Sequence, residues 1–240
     1  MRDHLLDLVE HTHDLGCIDL IKITGTQDGT DIAGLATDRS VVLEAKFAGP
    51  VAEFIGTFGM PNLAKLKILL NLEAYKENST LSITKNADGE PDNLNFVNDA
   101  GDFKNTYRFM ASGVINAQLK TAIFKGVNWH IDFVPTVAAI QRLRMQASAN
   151  AEENNFQAKT ENGNLVFSFG DPSTHAGNFV FHTGVQGQLK RSWSWPVKTV
   201  MNILSLTGDK TFKISDDGAA MITVDSGIAT YNYILPAQTK

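Results

Sequence analysis

The sequence predicts an α+β fold assembled from two copies of one unit, each holding two short helices and several antiparallel strands. The first observation is a repeat. Residues 61–89, PNLAKLKILLNLEAYKENSTLSITKNADG, and 196–218, PVKTVMNILSLTGDKTFKISDDG, each lead from a proline into a short helix, then a strand, then an Asp-Gly turn. Pro61 and Pro196 lie 135 residues apart, as do the pairs Ile68-Leu69 and Ile203-Leu204. Asp88-Gly89 and Asp217-Gly218 lie 129 apart, so the first copy carries a short insertion. Self-similarity at about half the chain length marks duplication of a supersecondary unit. The second observation is the wealth of short apolar-alternating runs between Gly, Asn and Asp turns, which read as strands. The third is order: helix, strands, helix, strands occurs in both halves.

In the first half, residues 3–12 form a helix with Leu5, Leu8 and Val9 on one side and Asp3, His4, Asp7, Glu10 and His11 on the other. Strands follow at 19–25, 30–36, 41–48 and 53–59, then the repeat helix at 62–72 and strands at 80–85, 93–97 and 103–110. Residues 112–125, SGVINAQLKTAIFK, are small and mildly apolar, fit no element, and sit where a connector belongs. The second half opens with a strand at 127–133 and a helix at 135–150 that Pro135 starts from the first helical position. Strands at 154–160, 164–169, 178–183 and 189–195 precede the second repeat helix at 196–206, and strands at 211–215, 219–225 and 229–235 close the chain. The units are therefore expected at 1–112 and 126–240, with 113–125 between them.

Composition bounds the function. The chain has 240 residues, 43% hydrophobic and 20% charged, the profile of an ordinary globular protein rather than a disordered one. A net charge of −5 argues against indiscriminate polyanion binding but leaves room for a local basic face. Cys17 is the only cysteine, so neither an internal disulfide nor a CxxC zinc site can form, which fits a reducing compartment. The N-terminus lacks the apolar core of a signal peptide, and no run approaches the ~18 apolar residues of a membrane span. A cytoplasmic protein with no membrane partner is expected. No P-loop, G-x-S-x-G elbow, dinucleotide fingerprint or H-E-x-x-H motif is present, which points away from an enzyme. His11, His13 and Asp14 near Cys17 suggest a metal site only weakly, and histidines at a helix end more often cap or face solvent. Trp193 and Trp195 share a strand face with Arg191, a platform for stacked bases or, more simply, core.

The proline-led helix PVKTVMNILSL, the strand-turn-strand FKISDDGAAMITVDSG, the ending ATYNYILPAQ and the first-half segment FIGTFGMPNLAKLKILLN together resemble the DNA sliding clamp family. The similarity is greatest to the phage-type processivity clamps, and weaker to the archaeal and eukaryotic trimeric clamps. It covers most of the chain in order and patterning. The resemblance implies duplicated clamp domains with antiparallel sheets outside and short helices inside, forming a ring on oligomerisation. Because such rings close from about six similar domains, a two-domain chain implies a head-to-tail homotrimer. It further implies a processivity factor that encircles duplex DNA without sequence preference and tethers a DNA polymerase. An ATP-dependent clamp loader would open the ring, and the clamp itself would need neither cofactor nor metal. The location would be the cytoplasm, or the host cytoplasm for a viral protein. Two departures stand out: clamp domains usually begin with a strand before the first helix, and the polar face of helix 3–12 is acidic.

A ring tracking duplex DNA needs cations aimed at phosphates and no base readout. On helical wheels, Lys65 and Lys67 lie opposite Leu63, Leu66, Leu69 and Leu70, while Lys198 lies opposite Val197, Val200, Ile203 and Leu204. Arg142 points away from a stripe of Ile140, Leu143 and Ala147, with Arg144 at its flank. These five are the candidate DNA contacts, although cations on a solvated helix face are also ordinary. The resemblance implies an apolar pocket for partner peptides between connector and tail, at Val114, Ile115, Leu119, Ile234, Leu235 and Pro236. A non-enzymatic β-rich structural or assembly protein, for example of a virion, is the alternative.

Overall fold

The computed structural model describes residues 1–120 and 124–238. The chain forms two compact units: Met1–Ile123 with Ser226–Tyr231, and Phe124–Asp225 with Asn232–Lys240. The segment expected as a separate connector groups with the first unit up to residue 123, and its residues 121–123 lie outside the described residues.

In the first unit the order is α1 (Arg2–Glu10), β1 (Leu20–Gly25), β2 (Thr30–Leu35), β3 (Val42–Phe47), β4 (Gly56–Pro61), α2 (Leu63–Asn71), β5 (Thr80–Lys85), β6 (Pro91–Val97), β7 (Lys104–Arg108) and α3 (Ser112–Gln118). The strands line up as β4-β1-β2-β3 and as a separate meander, β5-β6-β7. Period-two alternation sends Ile21, Ile23, Ile32, Leu43 and Phe47 to the buried face. β4 begins three residues later than the alternation suggests, because Ala52–Phe54 turns as a short 3-10 helix that buries Phe54. Asn62, in the left-handed region at φ 53°, caps α2 by accepting from the Lys65 amide at 3.1 Å. The stretch that fits no element by pattern is helical as α3: Ile115 and Leu119, one turn apart, pack with Leu20, Leu35 and Met110. With two anchoring positions in seven residues, its periodicity is too short to read from sequence.

The second unit contains β8 (Ile131–Phe133), α4 (Val137–Ala149), β9 (Asn155–Glu161), β10 (Asn164–Gly170), β11 (Ala176–Thr183), β12 (Trp193–Pro196), α5 (Val197–Ser205), β13 (Asp209–Ser215), β14 (Ala219–Asp225) and β15 (Ala229–Pro236). Its sheets run β11-β10-β9-β12 and β8-β13-β14-β15. Element for element, α4 through β15 repeats α1 through β7, with the repeat helices α2 and α5 in equivalent places. The recurrent Asp-Gly has a backbone cause: Gly89 and Gly218 both stand in the left-handed region, at φ 80° and 84°. Two sequence expectations shift. Thr136, not Pro135, sits at the start of α4, because its hydroxyl accepts from the Ala139 amide at 3.1 Å. Ala139 and Leu143 form the buried side of α4, while Ile140 and Ala147 are half-buried.

The acidic face expected for the first helix is only partly open: Asp3 is exposed and Glu10 half-buried, but the rest is turned inward. Asp7 and His11 are buried, at 8% and 1% exposure, with the His11 ring stacked on Tyr231 at 4.5 Å. The Tyr231 hydroxyl donates to Asp7 Oδ2 at 2.6 Å, so the carboxylate is satisfied inside the first unit. Removing that donor takes a hydrogen bond from a buried carboxylate whose other oxygen lies 3.3 Å from His11 Nδ1. Tyr231→Phe should lower unfolding stability by about 1–3 kcal/mol, measured as a shift in denaturation midpoint at constant slope.

Tyr107 predicts the alkaline limit. Its hydroxyl donates to the Pro61 carbonyl, and burial, with a smaller contribution from Asp19, pushes the phenol well above its ordinary value. A raised folded-state value stabilises the fold at pH below the unfolded value of about 10, and this contribution is lost as pH rises towards the folded value. Tyr107→Phe should therefore lose less stability than the parent between about pH 9 and 11 in denaturant titrations.

Candidate DNA-facing helices and partner groove

Each unit packs its two long helices side by side, α1 with α2 and α4 with α5. Their apolar stripes are buried, so the polar stripes form one outward face per unit. In the second unit this face carries Arg142, Arg144 and Lys198, all exposed, and neither helix contains an acid. Arg144 donates to Ser205 Oγ at 2.6 Å, tying the C-terminal halves of α4 and α5 together while leaving the charge unneutralised. In the first unit Lys65 is exposed, but Lys67 Nζ is 2.6 Å from Asp14 Oδ1, in an ion pair just beyond α1. Arg2 is turned inward to the Leu70 carbonyl and takes no part in the outer face. Among the described residues no carboxylate pairs with Arg142, Arg144 or Lys198, whereas in the first unit Lys67 is paired with Asp14 and α1 adds the acids Asp3 and Glu10. Sequence periodicity finds all five positions, but Asp14 is 53 residues from Lys67 and reveals itself only once folded.

The six residues expected to form a peptide pocket have contrasting surroundings. In the first unit, Ile115 and Leu119 of the α3 segment are buried against Leu20, Leu35 and Met110, and Val114 is half exposed at 50%. A depression of about 340 Å3 opens beside them, lined by Leu20, Leu35, Met110 and Leu119 with Arg39 and Asn62 on its polar rim. In the second unit, Ile234 and Leu235 are core residues at 3% and 0% exposure, and only Pro236 faces outward. The Leu235 carbonyl accepts from Trp195 Nε1 at 3.2 Å. The Ala237 and Gln238 amides bond to the Gly218 and Ser194 carbonyls, each at 2.8 Å. The tail through 238 is thus held down rather than free; residues 239 and 240 lie outside the described residues.

His11 is stacked on Tyr231, and His13 Nδ1 lies 3.4 Å from Asp19 Oδ1. Burial, with a smaller contribution from Asp38, pushes the Cys17 thiol up to about 11, so it stays protonated and unreactive near neutrality. Trp195 is buried, and Trp193 is half-buried with its indole N–H donating to Asp216 Oδ1 at 3.2 Å and Arg191 over its ring at 4.4 Å. A Cβ on Gly218 would meet that ring at 2.8 Å, so the tryptophan roofs its own Asp-Gly turn instead of offering a stacking platform. No described helix is long and apolar enough to cross a membrane.

Comparison with solved structures defines the class of fold. The chain has the fold of the PCNA sliding clamps, over essentially its whole length. PCNA from Thermococcus kodakaraensis superimposes with a TM-score of 0.68 at 13% identity, over 99% of this chain and 97% of that one. PCNA from A. fulgidus, solved with the C-terminal region of FEN-1 bound, gives 0.71 at 10% identity over 98% and 96%. The PCNA2–PCNA3 complex of Sulfolobus tokodaii gives 0.66 at 13% identity over 100% and 98%. No family model matches the sequence, and no curated protein matches it.

Proposed function

We propose that the chain is a sliding clamp that assembles into a ring around duplex DNA and tethers a DNA polymerase to its template. The observation that carries this reading is the whole-chain agreement with PCNA structures, TM-scores 0.66–0.71 over at least 98% of the chain. A β-rich assembly protein has no need of this duplicated architecture or of cations on the polar sides of α2, α4 and α5, helices that themselves contain no acid. The cations act on phosphates alone, which suits a ring indifferent to sequence. The ring is a homotrimer in this reading, opened by a separate ATP-dependent loader, since no nucleotide motif is present in the chain. It needs no cofactor and works in the cytoplasm.

In this reading the ring closes through open strand edges. β7 and β11 each have an open edge among the described residues, and pairing β7 of one copy with β11 of the next satisfies both in a head-to-tail contact. Light scattering tests the ring: a mass three times 26.2 kDa is expected, and a monomer at micromolar concentration overturns it. Charge reversal on the β7 edge, as Lys104→Glu with Arg108→Glu, should shift the mass towards monomer. The apolar depression beside α3 is the surface we assign to polymerase and other partner peptides, with Leu20, Leu35, Met110 and Leu119 as its apolar wall.

A further inference from the structure

The same four-residue frame occurs once in each unit. α2 contains Lys65-Leu66-Lys67-Ile68, and α4 contains Arg142-Leu143-Arg144-Met145. Each residue lies about 100° round the helix from the one before it, so the leucine points inward, its cationic neighbours fall on opposite flanks, and the last residue faces out. Burial follows that geometry: Leu66 and Leu143 are fully buried, while Ile68 is 56% and Met145 68% exposed. The second cation of each frame is held in a similar way. Lys67 Nζ meets Asp14 just beyond α1, and Arg144 donates to Ser205 on α5, so both lean towards the companion helix and leave the aliphatic crest uncovered. Duplication does not account for the recurrence. The equivalent of α2 is α5, whose Val197-Lys198-Thr199-Val200-Met201-Asn202 has no such frame, and the equivalent of α4 is α1, where no two cations bracket a leucine.

We propose that the two frames are matching contacts for the sugar-phosphate backbone of duplex DNA, in which the cations take phosphates and Ile68 and Met145 pack on the deoxyribose between them. Such a contact rests on the clamp reading and adds an apolar component to it. A single exposed aliphatic side chain is ordinary on a protein surface. An aliphatic crest bracketed by cations in the same order, on two non-equivalent helices, calls for one kind of occupant: anions on both sides of a small apolar face. Along the outside of a duplex, phosphates alternate with deoxyribose rings, whose C–H faces are the apolar surface between two charges. An apolar anchor of a protein would cover the crest but leave the flanking cations without anions. Sugar contact also suits a ring indifferent to sequence, since every nucleotide presents the same sugar. The two parts of the contact respond differently to salt. Phosphate contacts release counterions and set the slope of log affinity against log salt. Burying an aliphatic side chain releases water instead, which shifts affinity by the same factor along the whole salt series.

Equilibrium binding of a short linear duplex, which threads in and out of a ring freely, separates these parts when fluorescence anisotropy is followed over a series of salt concentrations. Glutamine keeps helix propensity and side-chain length without the aliphatic surface. Ile68→Gln with Met145→Gln is expected to weaken binding about tenfold at every salt concentration, with the slope unchanged. Ile68→Leu with Met145→Leu should bind as the parent does. The heat-capacity change of binding should also become less negative in the glutamine variant, the mark of lost apolar burial. Circular dichroism and a trimer mass confirm that both variants fold and assemble. Parent-like affinity in the glutamine variant overturns the proposal, and loss of polymerase stimulation alongside it would give the crest to a protein instead. Weakening that comes with a flatter slope overturns it too, because the two residues would then act only by disturbing the cations beside them. A trimer that binds no duplex at any salt concentration overturns the clamp reading itself, and this contact with it.

Discussion

Alanine in place of Arg142, Arg144 and Lys198 together is expected to produce the largest loss of DNA retention of any surface variant of this protein. Each phosphate contact contributes about 0.9 to the slope of log affinity against log salt, so losing two or three contacts should flatten it by about 2–3. The paired variant Lys65→Ala with Lys67→Ala should flatten it by only about 0.9, because Lys67 is held by Asp14 at 2.6 Å. Asp14→Asn sharpens the comparison: releasing Lys67 should strengthen retention and steepen the slope. Sequence preference should not change in any variant, since phosphate contacts carry no base information. The DNA must be circular or blocked at both ends, because a ring held by topology slides off a free end. An unchanged slope in the triple variant, with the trimer intact, would show that the α4–α5 face does not meet DNA.

Polymerase stimulation should disappear in Leu35→Glu while retention on circular DNA persists. Leu35 is half-buried on the wall of the depression beside α3, in contact with the Ile115–Leu119 pair, so a carboxylate there meets any apolar anchor without a partner. Loss of such a central contact is worth about 2 kcal/mol or more, roughly thirtyfold in affinity. Full stimulation by this variant would remove the depression from the partner site. Deleting the tail from Ile234 onward is a poorer test, because it takes away the buried Ile234 and Leu235 together with the Trp195 bond. Core losses of that kind cost about 2–5 kcal/mol for each large aliphatic side chain. Cutting after Pro236 keeps both residues and asks only about the exposed end.

The candidate partner groove illustrates why an apolar segment is ambiguous in one dimension. Ile234, Leu235, Ile115 and Leu119 have the same chemistry, and only neighbours decide which line a surface and which fill a core. The helix faces were easier to read. A 3.6-residue period places Lys65, Arg142 and Lys198 opposite the leucine and valine stripes by local geometry alone. Asp7 and His11 obeyed the same period and yet ended inside, because Tyr231, 224 residues from Asp7, supplies a hydroxyl that satisfies the carboxylate. No local pattern encodes such a partner.

The sequence by itself determined the α+β class, the duplication, the helix stripes and the turns, because each rests on contacts a few residues apart or on the φ freedom of glycine at Gly89 and Gly218. It also placed almost every strand to within a few residues. Tertiary structure alone decided which cations are spent on Asp14, which apolar residues are core, that α3 is helical, and which edges stay open. Those outcomes depend on pairings across tens to hundreds of residues, where the same alternating strand is covered, as β13 is by β8, or keeps an open edge among the described residues, as β7 and β11 do, according to what the rest of the chain brings beside it.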